Sequence, residues 1–530
     1  STDKAMIAYT PLRSSRTSVF EKGVRQPLKT EKYEYYTDNL HHGEVKVQTV
    51  ADEVDDRRYT VEYDYDYSPS GYIYGMPKDV KVYDADGGLL RHKQAVYAVY
   101  KHAYNLDLLY VQEGQEYAET QFYYDGAGNV TKLVLPFDAN MKRRVMLYSY
   151  DADRNTFLAG VTDQSGYHSS IAKYDPVWGV PLRSIDVNGH VRTIATDNIG
   201  RIASIKNPSE TKESDHSCRF RYQTTALLDQ QHRIIRPAYA TVRHFDVQHP
   251  DDPIETIVFT SGFGEVAQSK TEVEVTSPSF VANGEPMAEN LFSVSGRERK
   301  DAFGRVVARY AGVVEPMSDN LLFNRKYDKT APTKYVYDEQ DRIVSVTLPD
   351  GAVTTYEYSI VNNKPTTVST DGNGHRTITQ TNADGQTLSV TKHTEDSDIT
   401  TKYVYDAIGQ LSTVTDAEGN TTRYTYDMSG RMLGVSHPLI GETRYTYDLC
   451  GNLTSKQTPN LIAEGKRIEY AYDYGRITGI RYPNNPQNNV RYVYGDAEAN
   501  NNTRARIAFI EDASGVTAYT YGNSGEVVQT

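Results

Sequence analysis

The chain has 530 residues but only two cysteines and one tryptophan. Cys218 and Cys450 stand far apart, too few for a zinc site, and the sequence leaves a disulfide between them open. No apolar run approaches the roughly 18 residues of a spanning helix, which excludes a transmembrane helix. The opening STDKAMIAYTPLRSS lacks the apolar core and small-residue cleavage site of a signal peptide. Positive charge is also short: 57 Lys and Arg face 70 Asp and Glu, a net −13. Such a chain has no bulk attraction for nucleic acid or an anionic membrane. No GxSxG elbow, phosphate loop, dinucleotide fingerprint or HExxH pair occurs. The histidines are scattered, with His41-His42 and the His244/His249 pair the nearest groups. Asp64 and Asp66 share one strand face, and Asp84-Ala-Asp86-Gly-Gly fails as a calcium loop at its fifth position. No catalytic residue, metal ligand or cofactor is therefore assigned. Helical periodicity is nearly absent.

What the chain does have is tyrosine: 44, against 13 phenylalanines. That bias favours strands. Much of the tyrosine falls in a repeat. From Tyr403 the sequence reads YVYDAIGQLSTVTDAEGNTTR, then YTYDMSGRMLGVSHPLIGETR, then YTYDLCGNLTSKQTPN. Tyr405, Tyr426 and Tyr447 are spaced by 21, as are Tyr337 and Tyr358 upstream. Looser copies begin at Tyr470, Tyr492 and Tyr519, and a degenerate copy has Thr381 in place of tyrosine. Fainter copies place aspartates at 125, 151, 175 and 197. A fixed period of this kind marks a stacked array.

Each unit reads physically as two short strands. Tyr-x-Tyr puts two rings on one strand face: Tyr335 and Tyr337, Tyr356 and Tyr358, Tyr403 and Tyr405, Tyr424 and Tyr426, Tyr445 and Tyr447, Tyr470 and Tyr472. The aspartate that follows, at Asp338, Asp406, Asp427, Asp448 and Asp473, opens a tight turn, and Gly409, Gly430 and Gly451 hold its fourth position. A catalytic carboxylate pair is needed once, whereas these recur in every unit, so their expected role is structural. The tyrosines are expected to form a cross-strand ladder of rings; exposed rows stacking on sugar are the alternative. Residues 206–216 read as a loop, and 276–290, TSPSFVANGEPMAEN, as an excursion loop. The boundaries expected are 1–119, irregular and strand-rich; 120–222, a first repeat block; 223–326, a divergent β region; and 327–530, a second block.

The motif YxYDxxGR, followed by a PxG or DxxG turn and a second YxY, resembles the YD repeat of RHS-family proteins. YDPVWGVPLRSIDVNGHVRTIATDNIGRI from Tyr174, ETIVFTSGFGEVAQSK from Glu255 and SGRERKDAFGRVVARY from Ser295 resemble the B component of bacterial Tc toxin complexes. The resemblance implies an all-β strip of successive hairpins, spiralling as part of a hollow shell. It implies a non-catalytic scaffold that encloses a C-terminal polypeptide effector for delivery from a secreted or cell-surface bacterial protein. The implied partners are the rest of the same RHS polypeptide or a partner RHS subunit. A surface adhesin binding glycan or protein, and a carbohydrate-active enzyme with a site in 223–326, are the competing readings. The family's DPxG self-cleavage motif is not found at Asp175-Pro176 or Asp252-Pro253. The last copy, from Tyr519, shows no cap, so strands from about Tyr492 onward are expected to pair with another chain or lack order.

Overall fold

The computed structural model describes residues 11–21, 23–38, 41, 43–68, 73–100, 103–210, 216–245, 253–262, 264–282, 285–326 and 330–530. The first ten residues, Asp252 and residues 211–215 of the expected 206–216 loop lie outside the described residues. Two large antiparallel sheets, of 21 and 19 strands, hold nearly all the regular structure. Within each, almost every strand pairs with the one before and the one after it in sequence, so the chain is a ribbon of hairpins. The longest helix among the described residues is Pro459–Ala463, and no helix is long and apolar enough to cross a membrane.

The ribbon is one layer thick. A compact protein of 59.7 kDa exposes roughly 19,000 Å², whereas this chain exposes 31965 Å². Both faces of the sheets are therefore left largely uncovered by the chain itself. In the repeats the Tyr-x-Tyr face is half-buried while the residue between is exposed, as Val336 and Val404 are at 54% each. Most large side chains that are fully buried lie in the divergent middle. Ile257, Phe259 and Phe292 form a small core there, packed against Tyr239, Met317, Leu321 and Phe323.

The middle is also where one sheet hands over to the other. Glu285–Ser295 pairs with Val313–Pro316 in the first sheet, while Glu298–Lys300 pairs with Val306–Arg309 in the second. These are two halves of one hairpin, broken at Gly296-Arg297 and at 310–312 and bridged by Tyr310 N–H donating to Arg297 O at 2.9 Å. Gly296 has φ +78°, and a Cβ there would sit 3.1 Å from the Gln268 Cα, so only glycine fits the bend. Arg297, 1% exposed, donates to Ala311 O at 3.0 Å and covers the Tyr310 ring.

Two expectations are corrected. The described residues of 276–290 are strand rather than excursion loop, with 283 and 284 outside the described residues: Val266–Ala282 and Glu285–Ser295 form a long hairpin that begins well before that stretch. Alternating valines and polar residues in VAQSKTEVEVTS sustain the ladder past the point where Ser, Pro and Gly suggested a break. Nor do the strands after Tyr492 depend on another chain. Val490–Tyr494 pairs with Arg476–Arg481 and Ile507–Asp512, the latter pairs with Gly515–Ala518, and a further hairpin joins Thr520–Tyr521 to Val527–Gln529. Gly515–Ala518 is exposed throughout and forms the edge of the second sheet.

Candidate functional site

The repeat turn explains why aspartate and glycine recur. In the unit at Asp427, Gly430 N–H donates to Asp427 O at 3.1 Å and Asp427 N–H to Arg431 O at 3.0 Å. This closes a three-residue loop that ends with Gly430 at φ +87°, a turn followed by a bulge. The Asp427 Oδ1 accepts from Ser429 N and Arg431 N, at 3.0 and 2.8 Å, and Oδ2 from Arg431 Nε. Without the carboxylate those inward-pointing amides would lack a partner. Asp406 and Asp448 accept in the same way from Gln410 N and Asn452 N, with Gly409 and Gly451 at φ +87° and +90°. Asp338 does so with Arg342, Asp341 taking the glycine slot at φ +61°. Burial pushes the Asp338 carboxyl up, but bonds from the Arg342 amide and guanidinium outweigh it and hold it below the usual range. In the degenerate copy Asn382 replaces aspartate and accepts from Asp384 N and Gln386 N. Asp473 is different: Tyr474 and Gly475, at φ +48° and +81°, make a two-residue turn, and the carboxylate instead meets Lys142.

In five of the six pairs the second tyrosine is a latch. Tyr358, Tyr426 and Tyr447 donate their hydroxyls to Ile343 O, Leu411 O and Met432 O, each 15 residues back and at 2.8 to 3.0 Å. Tyr337 and Tyr405 do likewise to Val306 O and Thr387 O. Burial raises the hydroxyl pKa of Tyr358, Tyr426 and Tyr447. Where an arginine follows the turn it covers the ring of the next unit: Arg342 lies 4.0 Å from the Tyr358 centroid and Arg431 4.9 Å from that of Tyr447. The first tyrosines, Tyr335, Tyr403 and Tyr424, pair across strands with Val346, Val414 and Val435 rather than with other rings. Tyr356 sits opposite Ser369 and Tyr445 opposite Lys456, while Tyr470 and Tyr472 are half-buried on the same kind of face. The ring-on-ring ladder expected from the spacing is thus a ladder of tyrosine against mostly β-branched partners, locked by hydroxyl and guanidinium.

The turns also join one coil of the ribbon to the next. Arg342 Nη1 meets Glu21 Oε2 at 2.7 Å, Arg57 Nη2 meets Asp384 Oδ2 at 3.2 Å, and Arg431 Nη2 lies 3.1 Å from Glu113 Oε2. Ala139 N donates to Asp448 Oδ2 at 3.2 Å, Lys142 Nζ meets Asp473 Oδ1 at 2.9 Å, and Tyr167 OH donates to Gly495 O at 2.6 Å. Asn188 and His190 meet Arg504 and Asn502. The partners advance together, 309 to 331 residues apart in these pairs. One rim of the second sheet, carrying the Asp-x-x-Gly turns, therefore seats on one rim of the first sheet, turn by turn. Ile408 and Met428, inside two of those turns, line one groove with Leu89, Leu90 and Gly114. Cys450 sits in the same seam, its thiol donating to Pro136 O at 2.9 Å, and burial followed by Asp448 and Asp138 pushes its pKa up to about 11. Both cysteines are free thiols.

Sequence reasoning placed the turns and tyrosines but missed the seam and the arginine. The recurrent Gly-Arg at 200–201, 304–305 and 430–431 was the available signal. Among the described residues no three His, Cys, Asp or Glu side chains are grouped to hold a metal ion. Lys270 and Glu315, buried in the middle, pair at 2.6 Å and are enclosed by Asp319 O and Asn324.

The RHS repeat family matches residues 337–376 and 405–439. The chain carries RHS repeats. The RHS ribbon also matches solved Tc toxin structures along nearly its whole length. TcdB2-TccC3 aligns with a TM-score of 0.71 at 14% identity, over 97% of this chain and 34% of that one. The Photorhabdus luminescens Tc holotoxin pore aligns with a TM-score of 0.71 at 13% identity, over 95% of this chain and 35% of that one. The RHS ribbon thus has the fold of part of a Tc toxin shell and spans about a third of the chains it matches. No curated protein sequence matches it.

Proposed function

We propose that this RHS ribbon is a non-catalytic wall segment of a shell that encloses a polypeptide effector and shields it during delivery from a secreted or cell-surface protein. The observation that carries the reading is a one-layer sheet coiled on itself through a continuous seam, with far more surface than a solid protein of its mass. A wall needs this: area without thickness, and joints that recur along its length. The repeat aspartates, glycines and tyrosines act in the reading as joints, because their polar atoms are engaged by the ribbon's own backbone. The rest of an RHS polypeptide or a partner RHS subunit would complete the enclosure. The adhesin reading is less well supported, since the second tyrosine has its hydroxyl bonded at Tyr337, Tyr358, Tyr405, Tyr426 and Tyr447 and, at Tyr358 and Tyr447, a face covered by arginine.

Protease protection tests the reading. Trypsin applied under native conditions to the natural polypeptide carrying this ribbon is expected to spare an enclosed effector that is digested when expressed alone. Equal digestion in the two settings contradicts enclosure.

A further inference from the structure

The divergent middle holds a group of side chains that a wall segment does not require. Four neighbouring strands, Ile254–Thr260, Val266–Ala282, Glu285–Ser295 and Val313–Pro316, share a face that the segment 317–326 then covers. On that face Lys270 lies opposite Ile257 on one side and Val294 on the other, Gln268 opposite Phe259, and Glu315 opposite Phe292. Met317, Leu321 and Phe323 of the covering segment pack onto Ile257, Phe259 and Phe292. Four polar side chains are sealed into these apolar surroundings. Lys270 and Gln268 expose nothing, Asn324 keeps 5% of its surface and the Glu315 side chain 9%. Apolar residues of similar volume generally hold such a site together as well as a buried ion pair does, so stability alone does not call for these four.

Their bonds set three reactive groups in order. Glu315 Oε2 accepts from Lys270 Nζ at 2.6 Å, and Glu315 Oε1 accepts from Asn324 Nδ2. One carboxylate therefore holds an amine by one oxygen and a carboxamide nitrogen by the other. The Asn324 Oδ1 accepts from Lys326 N at 2.8 Å, which fixes the end of the amide that faces Glu315. Gln268 grips the Asn324 backbone, its Nε2 donating to Asn324 O at 3.0 Å and its Oε1 accepting from Asn324 N at 2.8 Å. Lys270 Nζ is steadied by a second bond, to Asp319 O at 2.7 Å.

We propose that this group cross-links itself, forming an amide bond between Lys270 Nζ and Asn324 Cγ with Glu315 as proton carrier and ammonia as leaving group. Glu315 takes a proton from Nζ, and the freed electron pair attacks Cγ. The C=O pair shifts onto Oδ1, where the Lys326 N–H faces the developing charge. The carbonyl re-forms as the Cγ–Nδ2 bond breaks, and Nδ2 leaves as ammonia with a proton passed through Glu315. Of the three protons that Nζ starts with, one stays in the new amide, one departs in the ammonia and one remains on the carboxyl. Nothing is oxidised or reduced. Holding amine and amide together makes the attack intramolecular, which offsets the poor reactivity of a carboxamide, and the apolar cover keeps out water as a competing nucleophile. The step happens once per chain, so it is a self-modification and not a turnover. Its product staples the covering segment to the first sheet beside the handover to the second. The inference does not depend on enclosure of an effector.

The intact mass of the purified chain, measured after full denaturation, reads the bond. Expected is a mass lower than the sequence requires by one ammonia. Trypsin should then release a branched peptide that joins 244–297, uncut at Lys270, to 310–325. Fragmentation should place the branch at Lys270 and Asn324, which separates the cross-link from ammonia lost at another asparagine. Lys270→Arg and Glu315→Gln should each show the full mass of their own sequences with the far-ultraviolet spectrum unchanged, the second while keeping both groups that would be joined. A wild-type chain of full mass, digested to separate peptides 244–270 and 310–325, overturns the proposal, and that result needs no variant to fold. A cross-link that forms undiminished in Glu315→Gln overturns it as well, because the proton carrier is then another group.

Discussion

The middle of the molecule, residues 254–326, and the repeats at 333–457 are made of the same antiparallel strand pairs but are held by different means. The middle concentrates its stability: Ile257, Phe259 and Phe292 are fully buried, and Lys270 and Glu315 form a buried ion pair. The repeats distribute theirs, with few buried side chains, a hydroxyl latch and a capped turn in most units, and an arginine-covered ring at Tyr358 and Tyr447. The difference follows from what each must do. A ribbon that changes sheets needs one rigid point, whereas a ribbon that coils needs joints that each yield little.

Four changes would break or sharpen that contrast, and amide hydrogen exchange resolved by segment reads all of them. Phe292→Ala should have the largest effect, about 3–5 kcal/mol of lost protection, because it empties a site with no exposed surface. The loss should spread through 254–316 and leave 403–457 unchanged. Gly430→Val should cost about 1–3 kcal/mol through the positive φ, with its Cβ also 3.0 Å from Gln410 Nε2, and Gly430→Asn should cost less. Its effect should stay within the neighbouring units, as nearest-neighbour arrays behave; equal effects of valine and asparagine would argue against the turn. Tyr426→Phe removes only the hydroxyl bond to Leu411 O, and about 1 kcal/mol is expected, confined to 411–432.

The fourth is acid. Asp125 is held down to about 2, against some burial, mainly by Asn129 and Asn155, while Asp371 is lowered first by the His375 amide and Asp416 first by the Asn420 side chain. A depressed carboxylate stabilises the fold fully above its unfolded pKa of about 3.9 and loses that contribution as pH falls through the folded value. The repeats should therefore begin to lose protection as pH falls below about 4, before the apolar core of the middle does. Simultaneous loss in both regions would erase the distinction.

The strand-turn-strand unit was legible because it is local: Tyr-x-Tyr and Asp-x-x-Gly act within five residues, and a 21-residue period repeats the message. The latch was less legible, since Tyr426 reaches 15 residues back to a backbone oxygen that any residue at 411 would supply. The hairpin at 266–295 was obscured by Ser277 and Pro278, turn-forming residue types that here lie within a strand. The seam was not legible at all. Its partners lie more than 300 residues apart, and Glu21 or Asp138 looks like any surface carboxylate until the curvature of the ribbon brings the next coil alongside.

That coil-on-coil seam is the claim on which the rest depends, and zero-length carbodiimide cross-linking tests it in the unmodified protein. The reagent joins an amine to a carboxylate only when they touch. Peptide mass spectrometry should find Lys142 linked to Asp473, a pair 2.9 Å apart and 331 residues distant, and Lys29 linked to Asp384. If links within one coil form, such as Lys300 to Glu265 and Lys466 to Glu464, while both seam links are missing, the ribbon does not close on itself and the account is wrong.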